Sequence, residues 1–149
     1  MADSSLIPGL DEQLCFALYS TSHAFTRAYK SLLGPLDLTY PQYMTLIALW
    51  NGDDQTVQEL GGQLFLESNT LTPLLKRLEG KGLLTRTRDP ADERRVRVRL
   101  TEAGHALQAQ AAHVPICIQQ ASGVGLSDAA ALLEVLHALG ARLRGAKKK

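Results

Sequence analysis

Between Leu84 and Leu100 the spacing of apolar residues changes, and that change restricts the fold more than any other feature of the chain. Upstream, apolar side chains recur every three or four residues, the spacing of one helix face. From Leu84 to Arg88 and from Val96 to Leu100 they alternate. Val96, Val98 and Leu100 fall on one face, and Arg95, Arg97 and Arg99 on the other. Asp89-Pro90-Ala91-Asp92 supplies the turn between the two runs. The segment is therefore an arginine-rich β-hairpin set among helices.

The helices announce their own ends. Asp11 to Leu33 reads as a helix, with Leu14, Leu18, Thr21, Phe25, Ala28 and Leu32 at helical spacing and Gly34-Pro35 as its stop. Thr39-Tyr40-Pro41-Gln42 is a capping box with proline in the first turn, and it opens a helix that runs to Trp50. Asn51-Gly52-Asp53-Asp54 is a turn. Thr56-Val57-Gln58-Glu59 is a second capping box, predicting a short helix to about Leu64. Ser68 is placed as the cap of a fourth helix, Asn69 to Lys81, with Pro73 near its start. Its buried stripe is Leu71, Leu74 or Leu75, and Leu78, and Gly80 and Gly82 close it. Thr101 caps a fifth helix reaching at least His113, with Pro115 as a kink or interruption. Gly123-Val124-Gly125 is a break, and Ser127 caps a last helix, Asp128 to Leu143. The expected fold is mainly α, about six helices with a small β-hairpin wing.

At 149 residues, 45% of them apolar and 21% charged, the chain can bury a core as one domain without disulfide staples. No apolar run reaches the roughly 18 residues of a membrane span. Met1 to Ser5 lacks the basic start and apolar core of a signal peptide. A cytoplasmic protein is expected, in which two cysteines are buried small hydrophobes or redox groups rather than a disulfide framework. The net charge of +1 hides an asymmetry. Ser31 to Leu75 holds five acids and no Lys or Arg, whereas Lys76 to Arg99 holds nine basic residues against four acidic ones. Leu100 to Ala141 again has no Lys or Arg, and Arg142 to Lys149 has five, of which the Lys147-Lys148-Lys149 tail reads as a solubilising end. One segment thus faces something anionic.

Two short capped helices followed by a basic two-stranded hairpin form a winged helix-turn-helix, whose second helix enters the major groove of double-stranded DNA. The exposed face of that helix carries Asn69, Thr70, Pro73, Lys76 and Arg77, and its start offers Ser68, Asn69, Thr70 and Thr72. These are residue types that reach base edges and phosphates. Arg94, at the hairpin tip, is the candidate for minor-groove insertion. Arg86, Asp92 and Arg95 complete the expected DNA-binding set. A solvated strand face would explain an isolated basic hairpin, but here the helix pair and the hairpin share one surface.

Leu100-Thr101-Glu102-Ala103-Gly104 and the Asp92-x-Arg94 wing tip resemble the most characteristic stretch of the MarR family, and element order matches from Leu10 to Leu143. Phe65 to Glu79 resembles its organic-hydroperoxide-sensing branch, OhrR. Glu93 stands before Arg94, where many MarR proteins have a second arginine. The resemblance implies a single MarR-like domain over 1–149, with 10–34 and 101–144 as dimerisation helices and 38–100 as the DNA-binding region. A homodimer implies an inverted-repeat operator with half-sites about one helical turn apart.

Cys15 lies early in the first helix, where the partial positive charge of the N-terminus favours a thiolate. Tyr19 follows one turn later, and Tyr29, Tyr40 and Tyr43 come close together in an otherwise aromatic-poor chain. Tyrosine hydroxyls donate to a thiolate while their rings line an apolar pocket. On the residues alone, a buried structural Cys15 with core tyrosines remains the stronger alternative. The resemblance reverses that weighting. It implies that Cys15 is the redox sensor, that Tyr29 and Tyr40 of the partner subunit hold its thiolate, and that Tyr19 is a third pocket aromatic. It further implies a two-cysteine type in which Cys117 resolves the oxidised Cys15 across the dimer, with an organic hydroperoxide as inducer. Cys117 also fits its apolar run as a plain hydrophobe.

Other readings stay open. A thiol peroxidase would leave the basic hairpin idle. His23, His105, His113 and His137 show no metal-ligand spacing with each other or with the cysteines, so neither metal nor cofactor is expected. A repressor released by a small aromatic ligand, with Cys15 incidental, is the main rival. An architectural, non-specific DNA binder is a third, against which the small polar residues of the Asn69 helix argue.

Overall fold

The structure is a computed structural model that describes residues 6–145; the signal-peptide reading of Met1 to Ser5 and the lysine tail fall outside the described residues. The order is α1 (Leu14–Leu33), α2 (Tyr40–Asn51), β1 (Gln55–Thr56), α3 (Val57–Leu64), α4 (Ser68–Gly80), β2 (Leu84–Asp89), β3 (Asp92–Leu100), α5 (Glu102–Gln110), α6 (Val114–Ser122) and α7 (Leu126–Gly145). A 3-10 turn at Leu10–Glu12 precedes α1, and another at Gly34–Leu36 follows it. The chain divides into two compact units at Val114/Pro115.

Local chemistry sets the first unit's helices where the spacing predicts them. The hydroxyl of Thr39 accepts from the Gln42 amide at 3.3 Å while the Gln42 side chain accepts from the Thr39 amide at 3.1 Å. Thr56 and Glu59 repeat the arrangement at α3, at 3.1 and 2.8 Å. Each box satisfies amides that helix geometry orphans. Thr101 caps α5 by accepting from the Gly104 amide at 3.1 Å.

The core of this unit is leucine-rich: Leu33, Leu46, Leu49, Leu60, Leu71, Leu75, Leu78, Leu84 and Val98 are fully buried. Both Leu74 and Leu75 join the α4 stripe. Each such side chain contributes about 1.5–3 kcal/mol on burial. β2 and β3 form the expected antiparallel hairpin, with Asp89 paired to Asp92 across Pro90-Ala91. Val98 sits opposite Gln55 of β1 and Arg86 of β2, so the sheet order is β1-β3-β2. Gln55 is buried and its amide donates to the carbonyls of Ala48 and Gly52, closing the end of α2. Trp50 donates its indole N–H to the Gly104 carbonyl at 2.9 Å, tying α2 to α5.

Several features differ from the sequence-based expectation: α1 starts at Leu14 after a separate 3-10 turn rather than at Asp11, and α7 starts at Leu126, so Ser127 lies inside it rather than capping it. β1, only two residues long, has no alternation to reveal it. Ser68 is the first residue of α4 rather than its cap; Glu67 holds the cap position without a side-chain bond. Pro73 is the sixth residue of α4, past the first turn, so the Asn69 carbonyl lacks its usual N–H donor. The helix after Thr101 stops at Gln110, and Pro115 is the second residue of α6, a position where proline's missing N–H costs little. The break therefore lies just upstream of the proline.

α1 and α7 leave their apolar residues uncovered. Among the described residues of α1 only Leu33 is buried, and none is buried on α7. Leu14, Phe16, Tyr19 and Phe25 are exposed on the first helix, and Leu126, Leu132, Leu133, Val135 and Leu143 on the last. Among the described residues no single helix is long and apolar enough to cross a membrane.

Candidate nucleic-acid interface and cysteine site

Burial on α4 is one-sided. Leu71, Leu74, Leu75 and Leu78 face the core, while Ser68, Asn69, Thr70, Pro73, Lys76 and Arg77 are exposed. Thr72 is half-buried and donates its hydroxyl to the Ser68 carbonyl at 2.7 Å, so that hydroxyl is already engaged. The polar face thus presents a small-residue start and a cationic second half.

The hairpin is held against this helix by Glu79. Its carboxylate accepts from the Arg86 backbone amide at 2.9 Å and from the Arg86 guanidinium at 3.1 and 3.3 Å. Those bonds, the backbone one first, hold the Glu79 carboxyl below its usual range. Arg86, expected among the DNA contacts, is thus committed to bracing β2 on α4.

Arg97 and Arg99 are likewise engaged. The Asp54 carboxylate accepts from Arg97 Nε at 2.8 Å and pairs with Arg99 Nε at 2.9 Å. The Asp54 carbonyl accepts from Arg97 Nη2 at 2.8 Å, and Asp89 pairs with Arg97 Nη1 at 3.3 Å. At the tip, the Asp92 carboxylate accepts from the Arg94 amide at 3.1 Å and lies 3.7 Å from Arg95 Nε. Asp92 therefore shapes the tip and leaves the Arg94 side chain exposed. Among the described residues Lys76, Arg77, Arg88 and Arg94 form no ion pair, so they carry the uncompensated charge of this surface. The sequence alone does not reveal Asp54, because no local pattern links a turn carboxylate to an arginine 43 residues away, or Glu79, whose bond to Arg86 spans a helix end and a turn.

Cys15 is the second residue of α1, exposed, with its thiol 3.7 Å from the Gln13 carboxamide oxygen. Tyr19 is exposed one turn on, its ring 4.4 Å from that of His23. Tyr29 lies fourteen residues from Cys15 on the same helix, about 21 Å along the axis. There it stacks on Tyr40, the first residue of α2, with ring centroids 4.1 Å apart and planes 14° apart. Tyr43 is the third member, 5.9 Å from Tyr29. Burial, then the neighbouring Tyr40 and Tyr43, push the Tyr29 hydroxyl up to about 12. It is therefore a protonated donor at neutral pH. The structure brings Tyr29 and Tyr40 together and keeps Cys15 and Tyr19 apart from them within one chain. Cys117 is half-buried on α6, in the second unit, and is a free thiol like Cys15.

A cleft of about 690 Å³ opens beside Tyr40, lined by His23, Arg27, Lys30, Asp37 and Lys81 among others. Lys81, just past α4, donates to the Asp37 carbonyl and, at 3.1 Å, to the buried Gln42 carboxamide.

A family model described as transcriptional regulator SarA/Rot matches residues 27–110. The chain is 48% identical over 130 residues to the HTH-type transcriptional regulator TtmR of Methylorubrum extorquens, covering 87% of this chain and 67% of that one. It is 45% identical over 135 residues to the organic hydroperoxide resistance transcriptional regulator of Bacillus subtilis, covering 86% and 92%. Among solved structures, reduced AbfR bound to DNA matches with a TM-score of 0.79 and 34% identity, covering 94% and 96%. The disulfide-formed state of AbfR matches with a TM-score of 0.60 and 35% identity, covering 94% and 93%.

Proposed function

Since this chain belongs to the MarR/OhrR-type winged helix-turn-helix transcriptional regulators, and so binds DNA and is not an enzyme, we propose that it is a homodimeric repressor released from its operator by oxidation of Cys15. The observation that carries the proposal is the placement of Cys15 and the tyrosine pair at opposite ends of one uncovered apolar helix. At about 21 Å, Tyr29 cannot meet the Cys15 sulfur of its own chain. A two-fold partner that covers the apolar face of α1 carries its own tyrosine pair to that sulfur. The exposed apolar residues of α1 and α7 support such a dimer, because monomers seldom leave large contiguous apolar patches in water.

The chemistry follows. The Cys15 thiolate attacks the terminal oxygen of an organic hydroperoxide; the O–O bond breaks, the alkoxide leaves and takes a proton, and Cys15 becomes a sulfenic acid. The thiol of Cys117 from the other subunit then attacks that sulfur, forming a disulfide and releasing water. Drawing the two segments together shifts α4 and the wing off their half-site spacing, and the inverted-repeat operator is released. In this reading Ser68, Asn69, Thr70, Thr72, Lys76, Arg77, Arg94 and Arg95 contact DNA, with Asp92 shaping the tip and Arg86 bracing β2, in a cytoplasmic protein. The disulfide-formed state known for AbfR supports a switch of this kind.

The test is a non-reducing gel after one equivalent of an organic hydroperoxide, with Cys15→Ser and Cys117→Ser alongside. A covalent dimer that needs both cysteines, reverses with a thiol reductant and tracks operator release is expected. A Cys15→Ser protein that still releases DNA on peroxide treatment refutes the switch. The cleft beside Tyr40 supports a second reading, release by a small aromatic ligand held without covalent change: His23, Arg27 and Lys30 suit an acidic group, and Tyr40 a ring. Operator release by such a ligand from the Cys15→Ser protein would favour it.

A further inference from the structure

The turn between α2 and β1 carries two consecutive carboxylates, and both are spent on the root of the wing. Asp53 accepts from the Leu100 backbone amide at 2.9 Å and lies 3.2 Å from His105 Nε2. Asp54 takes the Nε groups of Arg97 and Arg99 together, at 2.8 and 2.9 Å, while its own carbonyl takes a second nitrogen of Arg97. Asp54 adopts a left-handed backbone, φ 58°, which aspartate tolerates better than most residues. This turn leads directly into β1 and α3, so one carboxylate joins the start of the DNA-binding helix pair to the third strand of the wing.

The consequence concerns charge as much as shape. Non-specific DNA affinity follows the number of cations free to meet phosphates. Arg97 and Arg99 are two of the nine basic residues between Lys76 and Arg99, and Asp54 withholds both. We infer that Asp54 is a specificity-determining residue for DNA binding. It neutralises and immobilises Arg97 and Arg99 at the wing root, leaving α4 and the wing tip to discriminate the operator from other duplex DNA.

Asp54→Gly tests this, because glycine accepts the left-handed backbone while the carboxylate is removed. Binding of the reduced protein to operator and to random-sequence duplex is measured across salt concentration. The expected result is several-fold tighter binding to random duplex, with a log-log salt slope steeper by about 0.9 to 1.8, one to two added phosphate contacts. The lower end applies if Asp89 keeps Arg97. The operator-to-random affinity ratio falls. Unchanged or weaker random-duplex binding by a folded Asp54→Gly protein overturns the inference. Arg99→Gln in the otherwise unaltered chain gives an independent arm: an unchanged random-duplex slope is expected, and a slope shallower by about 0.9 shows that Arg99 already meets phosphate and refutes the proposal. Neither arm involves peroxide, so the outcome is separate from that of the Cys15 switch.

Discussion

The ring of Tyr29 lies over that of Tyr40, 4.1 Å between centroids, where the end of α1 meets the start of α2. Burial of the Tyr29 hydroxyl opposes its ionisation, and the neighbouring phenols add to the cost. The folded-state value of Tyr29, about 12, stands above its ordinary 10.0. The stability linked to Tyr29 is therefore complete below pH 10 and is lost as pH rises through about 12. An ultraviolet titration of tyrosinate should show late ionisation at both Tyr29 and Tyr43, and the component near pH 12 should disappear in Tyr29→Phe. In the redox reading, Tyr29→Phe and Tyr40→Phe each remove a hydrogen bond to a thiolate. Trapping of the Cys15 sulfenic acid by a dimedone probe should then slow by about 10- to 150-fold per lost donor, from the roughly 1.5–3 kcal/mol of a charge-assisted bond.

Arg94 is exposed at the wing tip and forms no ion pair among the described residues, in contrast to Arg86 and Arg97. Arg94→Ala should weaken operator binding and reduce the salt slope by about 0.9 without lowering Tm. Fluorescence anisotropy at several salt concentrations measures both. Glu79→Ala should instead destabilise the fold by about 1 kcal/mol, through loss of a partly solvated charged brace to Arg86, and so lower Tm.

Gly61 and Gly62 are adjacent on α3 but differ in what a side chain would meet. A Cβ on Gly61 would stand 2.7 Å from the Leu66 carbonyl oxygen, in the turn that orients α4. A Cβ on Gly62 meets nothing within 4 Å. Gly61→Ala should cost about 1–3 kcal/mol and disproportionately weaken operator binding. Gly62→Ala should be neutral or stabilising by up to about 1 kcal/mol, the helix preference of alanine over glycine. Thermal melts paired with operator titrations separate the two.

Asp54 is held below its ordinary 3.8 by hydrogen bonds from Arg99 and Arg97, and Asp89 by the Ala91 amide and Arg97. Glu79 is held below its ordinary 4.5 by Arg86. A lowered folded value means that the native state binds fewer protons than the unfolded one. The wing clamps are thus complete above the ordinary carboxylate range and loosen as pH falls through these lowered values. An NMR titration should show the Arg86 amide shifting with an inflection below pH 4.5, and the Arg97 and Arg99 Nε–H signals below pH 3.8.

What the sequence determined by itself was local. Capping boxes at Thr39 and Thr56, the leucine stripe of α4 and the alternation of Val96, Val98 and Leu100 are patterns of residues a few positions apart, and each needs only its neighbours to act. Those patterns sufficed for the winged helix-turn-helix, and the motif from Leu100 to Gly104 for the family. The tertiary structure decided which charges remain to be used. Arg86, Arg97 and Arg99 resemble Arg94 in the sequence, yet Glu79 and Asp54 take the first three. It also decided that Tyr29 and Tyr40 form one stack whereas Cys15 stands a helix length away. The physical reason is range. A cap or a hydrophobic stripe is set by backbone geometry over one or two turns, but an ion pair or a ring stack depends on where separate elements come to rest, and that follows from how the whole leucine core packs.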